Sequence, residues 1–116
     1  MAGNLDIIEL WKVISDRARR VLIEAELVIK AKLKSSQVLD NVVYDCQLHR
    51  QTIRDYEDEN RVALKGKFEA REFKNWEDLK TELEDNLNGA IQQLRVRQQE
   101  NGVGGGSTAF DKSGNF

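Results

Sequence analysis

The sequence predicts an α+β subunit: a long N-terminal helix, a two-stranded antiparallel β-hairpin, a C-terminal helix and a glycine-rich tail. Three observations predict it. Residues 5–35 carry an unbroken helical apolar stripe. Residues 42–73 carry two period-two alternations on either side of an acidic turn. Residues 75–100 return to helical spacing before the composition changes to glycine. The competing reading is an all-α arrangement of antiparallel helices.

Nothing breaks a helix from Leu5 to about Ser35, because the chain has no proline and no glycine between Gly3 and Gly66. Asn4 is the expected N-cap. Asp6 and Glu9 suit the positive end of the helix dipole, and Lys30, Lys32 and Lys34 suit the negative end. Ile7, Trp11, Ile14, Ala18, Val21, Ala25 and Val28 alternate four and three residues apart, and Ile8, Leu22 and Ile29 widen the stripe. Val13, Ile23 and Leu27 lie on the other side, which gives this helix more apolar surface than one packing partner would cover. A contact from another subunit is the expected use of it. Trp11 and Trp76 read first as core anchors and second as interface anchors, so Trp11 joins Val13, Ile23 and Leu27 as a candidate interface residue.

In the hairpin, Val62, Leu64, Gly66, Phe68 and Ala70 alternate with Arg61, Lys65, Lys67, Glu69 and Arg71, and only Ala63 blurs the pattern. Earlier, Val42, Tyr44, Cys46 and Leu48 alternate with Val43, Asp45, Gln47 and His49, continuing to Thr52 and Ile53. Asp55 to Asn60 has the polarity of a turn. Leu39, Val42, Cys46, His49, Ile53 and Tyr56 also fall at three-four spacing, which is the basis of the all-α alternative. Strands are preferred for two reasons: β-branched and aromatic residues are dense here, and helical spacing over Arg61–Arg71 mixes charge into every face.

Asn75 is expected to open the second helix, with Glu77 and Asp78 in its first turn. Trp76, Leu79, Leu83, Leu87, Ala90 or Ile91, and Leu94 form its stripe. Gly89 is a weak point, costing about 1 kcal/mol relative to alanine. Residues 1–100 read as one domain. Residues 101–116 read as a tail whose Phe110 and Phe116, beyond a glycine hinge, are the natural anchors for docking on a neighbour.

A chain of 116 residues, 33% charged and 40% hydrophobic, suits one soluble domain. The net charge of −2 is built from alternating segments: basic over 1–34, acidic over 35–60, basic over 61–74 and acidic over 75–116. That balance argues against a dedicated nucleic-acid binder. The alternative function is a small nucleic-acid-associated dimer, in which Arg61, Lys65, Lys67 and Arg71, lined up on the outer face of a strand, contact phosphates. The most apolar segment, Val21 to Leu33, is interrupted by Glu24, Glu26, Lys30 and Lys32, well short of the roughly 20 apolar residues a membrane-spanning helix needs. Met1 to Asn4 lacks the basic and apolar regions of a secretory signal. The expected location is therefore the cytoplasm, or a particle assembled there.

Chemistry finds few residues to work with. His49 is the only histidine, and Cys46 is the only cysteine, which excludes an internal disulfide and a multi-cysteine zinc site. On a strand the two would face opposite ways, too poorly aligned for a thiolate pair. Asp55, Glu57, Asp58 and Glu59 lack the glycine-punctuated spacing of a calcium loop and read as a solvated turn. Arg17, Arg19 and Arg20, interleaved with Asp16 and Glu24, read as a salt-bridged helix face. Gly104 to Gly106 lack the following lysine and hydroxyl residue of a phosphate loop. No catalytic, cofactor-binding or metal-ligating residue is expected, and no small-molecule substrate.

Length supplies the functional argument. A compact globule of this size has a radius of gyration near 13 Å. The first helix would be about 45 Å long and the strands about 40 Å. The expectation is an elongated, non-enzymatic assembly subunit of a homo-oligomer or larger complex, with a virion-type particle as the first setting by analogy.

Overall fold

The structure is a computed structural model and describes residues 6–104. These residues form three helices: α1 (Ile7–Lys30), α2 (Ser36–Lys67) and α3 (Ala70–Gly104). They run up, down and up in an antiparallel bundle, joined by short connections. The β-hairpin expected over residues 42–73 is therefore wrong, and no strand occurs among the described residues. The all-α alternative is the fold.

α2 is a helix because its buried side chains repeat at the helical period. Leu39, Val42, Val43, Cys46, Ile53, Tyr56 and Leu64 face the other two helices. The alternation that suggested strands has a simple origin, since residues two apart on a helix point about 200° apart. Thus Leu64 is fully buried while Val62 is 86% exposed. Asp55 to Asn60 is mid-helix and makes no turn. The β-branched density was outweighed by tertiary context: an isolated two-stranded hairpin is marginal, whereas this helix packs against two partners. Charges on every face over residues 61–71 are accommodated by ion pairs to neighbouring helices and by solvent.

The true reversal lies at Phe68 and Glu69. Gly66 and Lys67 end α2, and Phe68 takes an extended conformation as its cap. Glu69 N–H then donates to Glu72 Oε1 at 3.2 Å, half of a capping box that starts α3 five residues earlier than Asn75. At the other end of the bundle, α1 begins after Asp6; Asn4, the expected cap, lies outside the described residues. α1 stops when Lys32 enters the left-handed region (φ 56°) and two amides fold back, Lys32 N–H to Ile29 O at 3.1 Å and Leu33 N–H to Val28 O at 3.3 Å. Ser35 then caps α2, its hydroxyl accepting from Val38 N–H at 3.4 Å.

The core changes character along its length. Ala18 and Ala25, both fully buried, let α1 approach its neighbours closely, and Leu39, Leu87 and Leu94 fill the same half of the bundle. Around the start of α1 the core is aromatic. Trp11 lies 5.3 Å from Tyr56 and 5.9 Å from Trp76, and Trp76 lies 5.5 Å from Phe73. Tyr56 Oη donates to Ile7 O at 2.7 Å, which satisfies the one hydroxyl in this cluster. Gly89 sits within α3 with open space where a Cβ would be.

The bundle measures 55 × 26 × 25 Å with a radius of gyration of 18.1 Å, against about 13 Å for a compact chain. The subunit is elongated, as the element lengths require. Among the described residues no helix is long and apolar enough to cross a membrane.

Candidate functional site

The three seams of the bundle differ in chemistry, and the difference locates the candidate surface. Between α2 and α3 runs a polar ladder in which each step up one helix is matched by a step down the other. Arg50 Nη1 donates to Asn88 Oδ1 at 2.6 Å, and Arg54 lies 3.6 Å from Glu84. Glu57 lies 2.9 Å from Lys80, and Arg61 lies 2.6 Å from Glu77. Three rungs are cross-linked, since Arg61 also reaches Glu57 at 3.1 Å and Lys80 approaches Glu84 at 4.0 Å. The cations extend this onto the aromatics: Arg61 lies over Phe73 at 5.2 Å and Lys80 over Trp76 at 5.9 Å. Among the described residues, Arg50 Nε and Trp76 Nε1 have no hydrogen-bond partner.

That ladder closes the α2–α3 seam and holds the two helices in register. α1 is held chiefly by its buried apolar stripe, with Lys67 to Asp6 at 2.9 Å as a tether near its start. The outward face of α1 carries Val13, Ile23 and Leu27. Ile23 is 57% exposed and Leu27 is 62% exposed. They stand one turn apart, opposite Ala18, Val21, Ala25 and Val28 in the core. Arg20, Glu24 and Lys30 surround them on the same exposed helix surface.

The other candidate residues are dispersed. Trp11, only 7% exposed, belongs to the core rather than to the surface. Arg61 and Lys67 are engaged in the ion pairs above, and Lys65 and Arg71 lie exposed on different helices. With no strand there, the line of four cations proposed as phosphate contacts is not formed. Phe110 and Phe116 lie outside the described residues. Sequence reasoning missed the exposed Leu33, Tyr44, Leu48 and Val96. Tyr44 and Leu48 had been assigned to the apolar face of a strand, although their four-residue spacing off the Val42–Cys46 stripe was the available signal.

Reactive groups are quiet. Burial, helped by Asp45 and Glu24, pushes the Cys46 thiol up to about 11, the reverse of an activated nucleophile. His49 Nδ1 is 2.8 Å from Asp45 O, one turn back on its own helix. Among the described residues no group of three or more histidine, cysteine or carboxylate side chains is placed to hold a metal. A small cleft of about 230 Å³ lies between the start of α2 and the end of α3, lined by Ser36, Leu39, Asp40, Gln98 and Asn101. Its amides are already engaged: Gln98 Nε2 donates to Asp40 Oδ1 at 2.6 Å and Asn101 Nδ2 to Lys34 O at 2.5 Å. Comparison of the chain with family models, with curated proteins and with solved structures gave no match.

Proposed function

We propose that this chain is a non-enzymatic assembly subunit that binds a neighbouring copy through the outward face of α1, with the segment beyond α3, residues 105–116, docking on a neighbour. The observation that carries this reading is the pair Ile23 and Leu27, exposed on adjacent turns of a helix whose opposite face already completes the core. Single exposed aliphatics are ordinary; two on adjacent turns, with Val13 further along the same helix, offer another helix or an extended segment a place to pack. The elongated subunit, 55 Å by about half that across, suits side-by-side or end-to-side assembly. A particle such as a virion, built from many small subunits, is the setting this shape fits.

Sedimentation velocity across a dilution series tests the reading. Wild type sediments as an assembly that dissociates on dilution, whereas Ile23→Glu/Leu27→Glu sediments as a single chain at every concentration with unchanged helix content. A wild-type chain that stays single at the highest concentration contradicts the proposal.

A further inference from the structure

The outward face of α1 needs an occupant, and the chain carries a suitable one. We propose that residues 105–116 of one copy bind the Ile23–Leu27 surface of the next, with Phe110 as the principal anchor and Phe116 as the second. This rests on the assembly reading above and names the contact that produces it.

Placement supports it first. α3 ends at Gly104, beside the α1–α2 connection, where Arg97 Nη1 donates to Leu33 O at 3.4 Å and Asn101 Nδ2 donates to Lys34 O at 2.5 Å. Ile23 and Leu27 lie on the last two turns of α1 at this same end, and Leu33 is exposed in the connection itself. The segment therefore departs at the same end of the bundle as a surface of the kind it would recognise, and neighbours meeting at this end bring donor and acceptor together.

Composition supports it second. Residues 104–108 are Gly-Gly-Gly-Ser-Thr, and apart from Ala109 the only apolar side chains beyond them are Phe110 and Phe116. A phenylalanine ring fits the shallow notch between aliphatic side chains one turn apart on a helix. Asp111 and Lys112 follow the first anchor. Arg20 and Lys30 on α1 offer the complement to the former, and Glu24 offers it to the latter.

Direction favours a neighbour over the same copy, since α1 and α3 run parallel and end together. Phe110 is six residues beyond Gly104, a reach of about 20 Å, and Phe116 is twelve beyond, about 40 Å. α3 delivers the chain outward past the α1–α2 connection, while the α1 face runs back from it. A neighbour set against this end requires no reversal. The donor patch differs from the acceptor patch, and because both lie at one end of the bundle, two copies meeting there make the contact twice, as a reciprocal exchange.

The test uses two full-length variants that each lack one half of the contact: Ile23→Glu/Leu27→Glu keeps the donor, and Phe110→Ala/Phe116→Ala keeps the acceptor. Each alone gives one chain's mass, 13.3 kDa, by light scattering, with the helix content of wild type. Mixed in equal amounts they give twice that mass and grow no further, because only one productive contact remains. A mixture that stays at 13.3 kDa overturns the inference. If the phenylalanine variant alone keeps the wild-type assembly while the α1 variant loses it, the inference falls and assembly through α1 stands. If wild type itself is a single chain, both fall.

Discussion

Lys80 Nζ lies 2.9 Å from Glu57 Oε2 across the α2–α3 seam, although Lys80 is only 8% exposed. A buried ammonium is tolerated because carboxylates of both helices and the Trp76 ring surround it. Lys80→Ala leaves Glu57 and Glu84 facing each other without their shared cation and is expected to cost about 2 kcal/mol, read from the midpoint of urea unfolding. Lys80→Met with Glu57→Leu recovers most of that loss, since a well-packed apolar pair replaces a buried ion pair at little cost. A Lys80→Ala chain as stable as wild type would remove the ladder from the account of how α2 and α3 hold their register.

Alkaline pH acts on the core through two groups. Burial pushes the Tyr56 hydroxyl up to about 12, from an ordinary value of 10, with Asp6 adding to the shift; Cys46 is pushed up to about 11, from 9. Both groups are neutral in the fold at pH values where the unfolded chain has already lost the proton. In that range the folded state binds more protons than the unfolded state, so stability decreases as pH rises. The contribution is complete below pH 9 and is lost between about pH 9 and 12. Tyr56→Phe loses the hydrogen bond to Ile7 O, about 1 kcal/mol at neutral pH. In exchange its stability falls less steeply above pH 10 than that of wild type. Thermal midpoints across this range read both effects, and parallel pH curves for the two proteins would contradict the assignment.

Two backbone positions carry the wrong residue for local stability, in opposite senses. Lys32 occupies the left-handed stop of α1, where glycine avoids the Cβ clash. Lys32→Gly is expected to stabilise by about 1 kcal/mol.

Gly89 sits inside α3 with nothing near its missing Cβ. Gly89→Ala is expected to stabilise by a similar amount, about 1 kcal/mol. Urea unfolding of the two single variants checks both values, and a loss at either position would refute the backbone argument there.

How far the sequence revealed this molecule depends on how many partners each helix has. α1 was legible because one wide stripe from Ile7 to Val28 faces the core. α3 was legible from Trp76 to Leu94, and its run through Gly89 was read as continuous; its start was misplaced because the capping Glu72 lay inside the expected strand. α2 was misread because its stripe is thin and polar at His49 and Arg50, with charges beside it that pair across the seam. Those pairs become visible only once α3 is laid antiparallel, when 50, 54, 57 and 61 meet 88, 84, 80 and 77. For the candidate surface, Val13, Ile23 and Leu27 were singled out as apolar residues beyond the core stripe, and they are exposed. Tyr44 and Leu48 were hidden by the strand assignment.

Those two residues supply the control for the most direct measurement. They are also exposed, one turn apart, but on α2 rather than α1. Light scattering on full-length wild type, Ile23→Glu/Leu27→Glu and Tyr44→Glu/Leu48→Glu compares the two faces at equal added charge. The account predicts that wild type and the α2 variant share one assembly mass while the α1 variant falls to 13.3 kDa. Equal masses for all three proteins, or loss of assembly in the α2 variant alone, would contradict it.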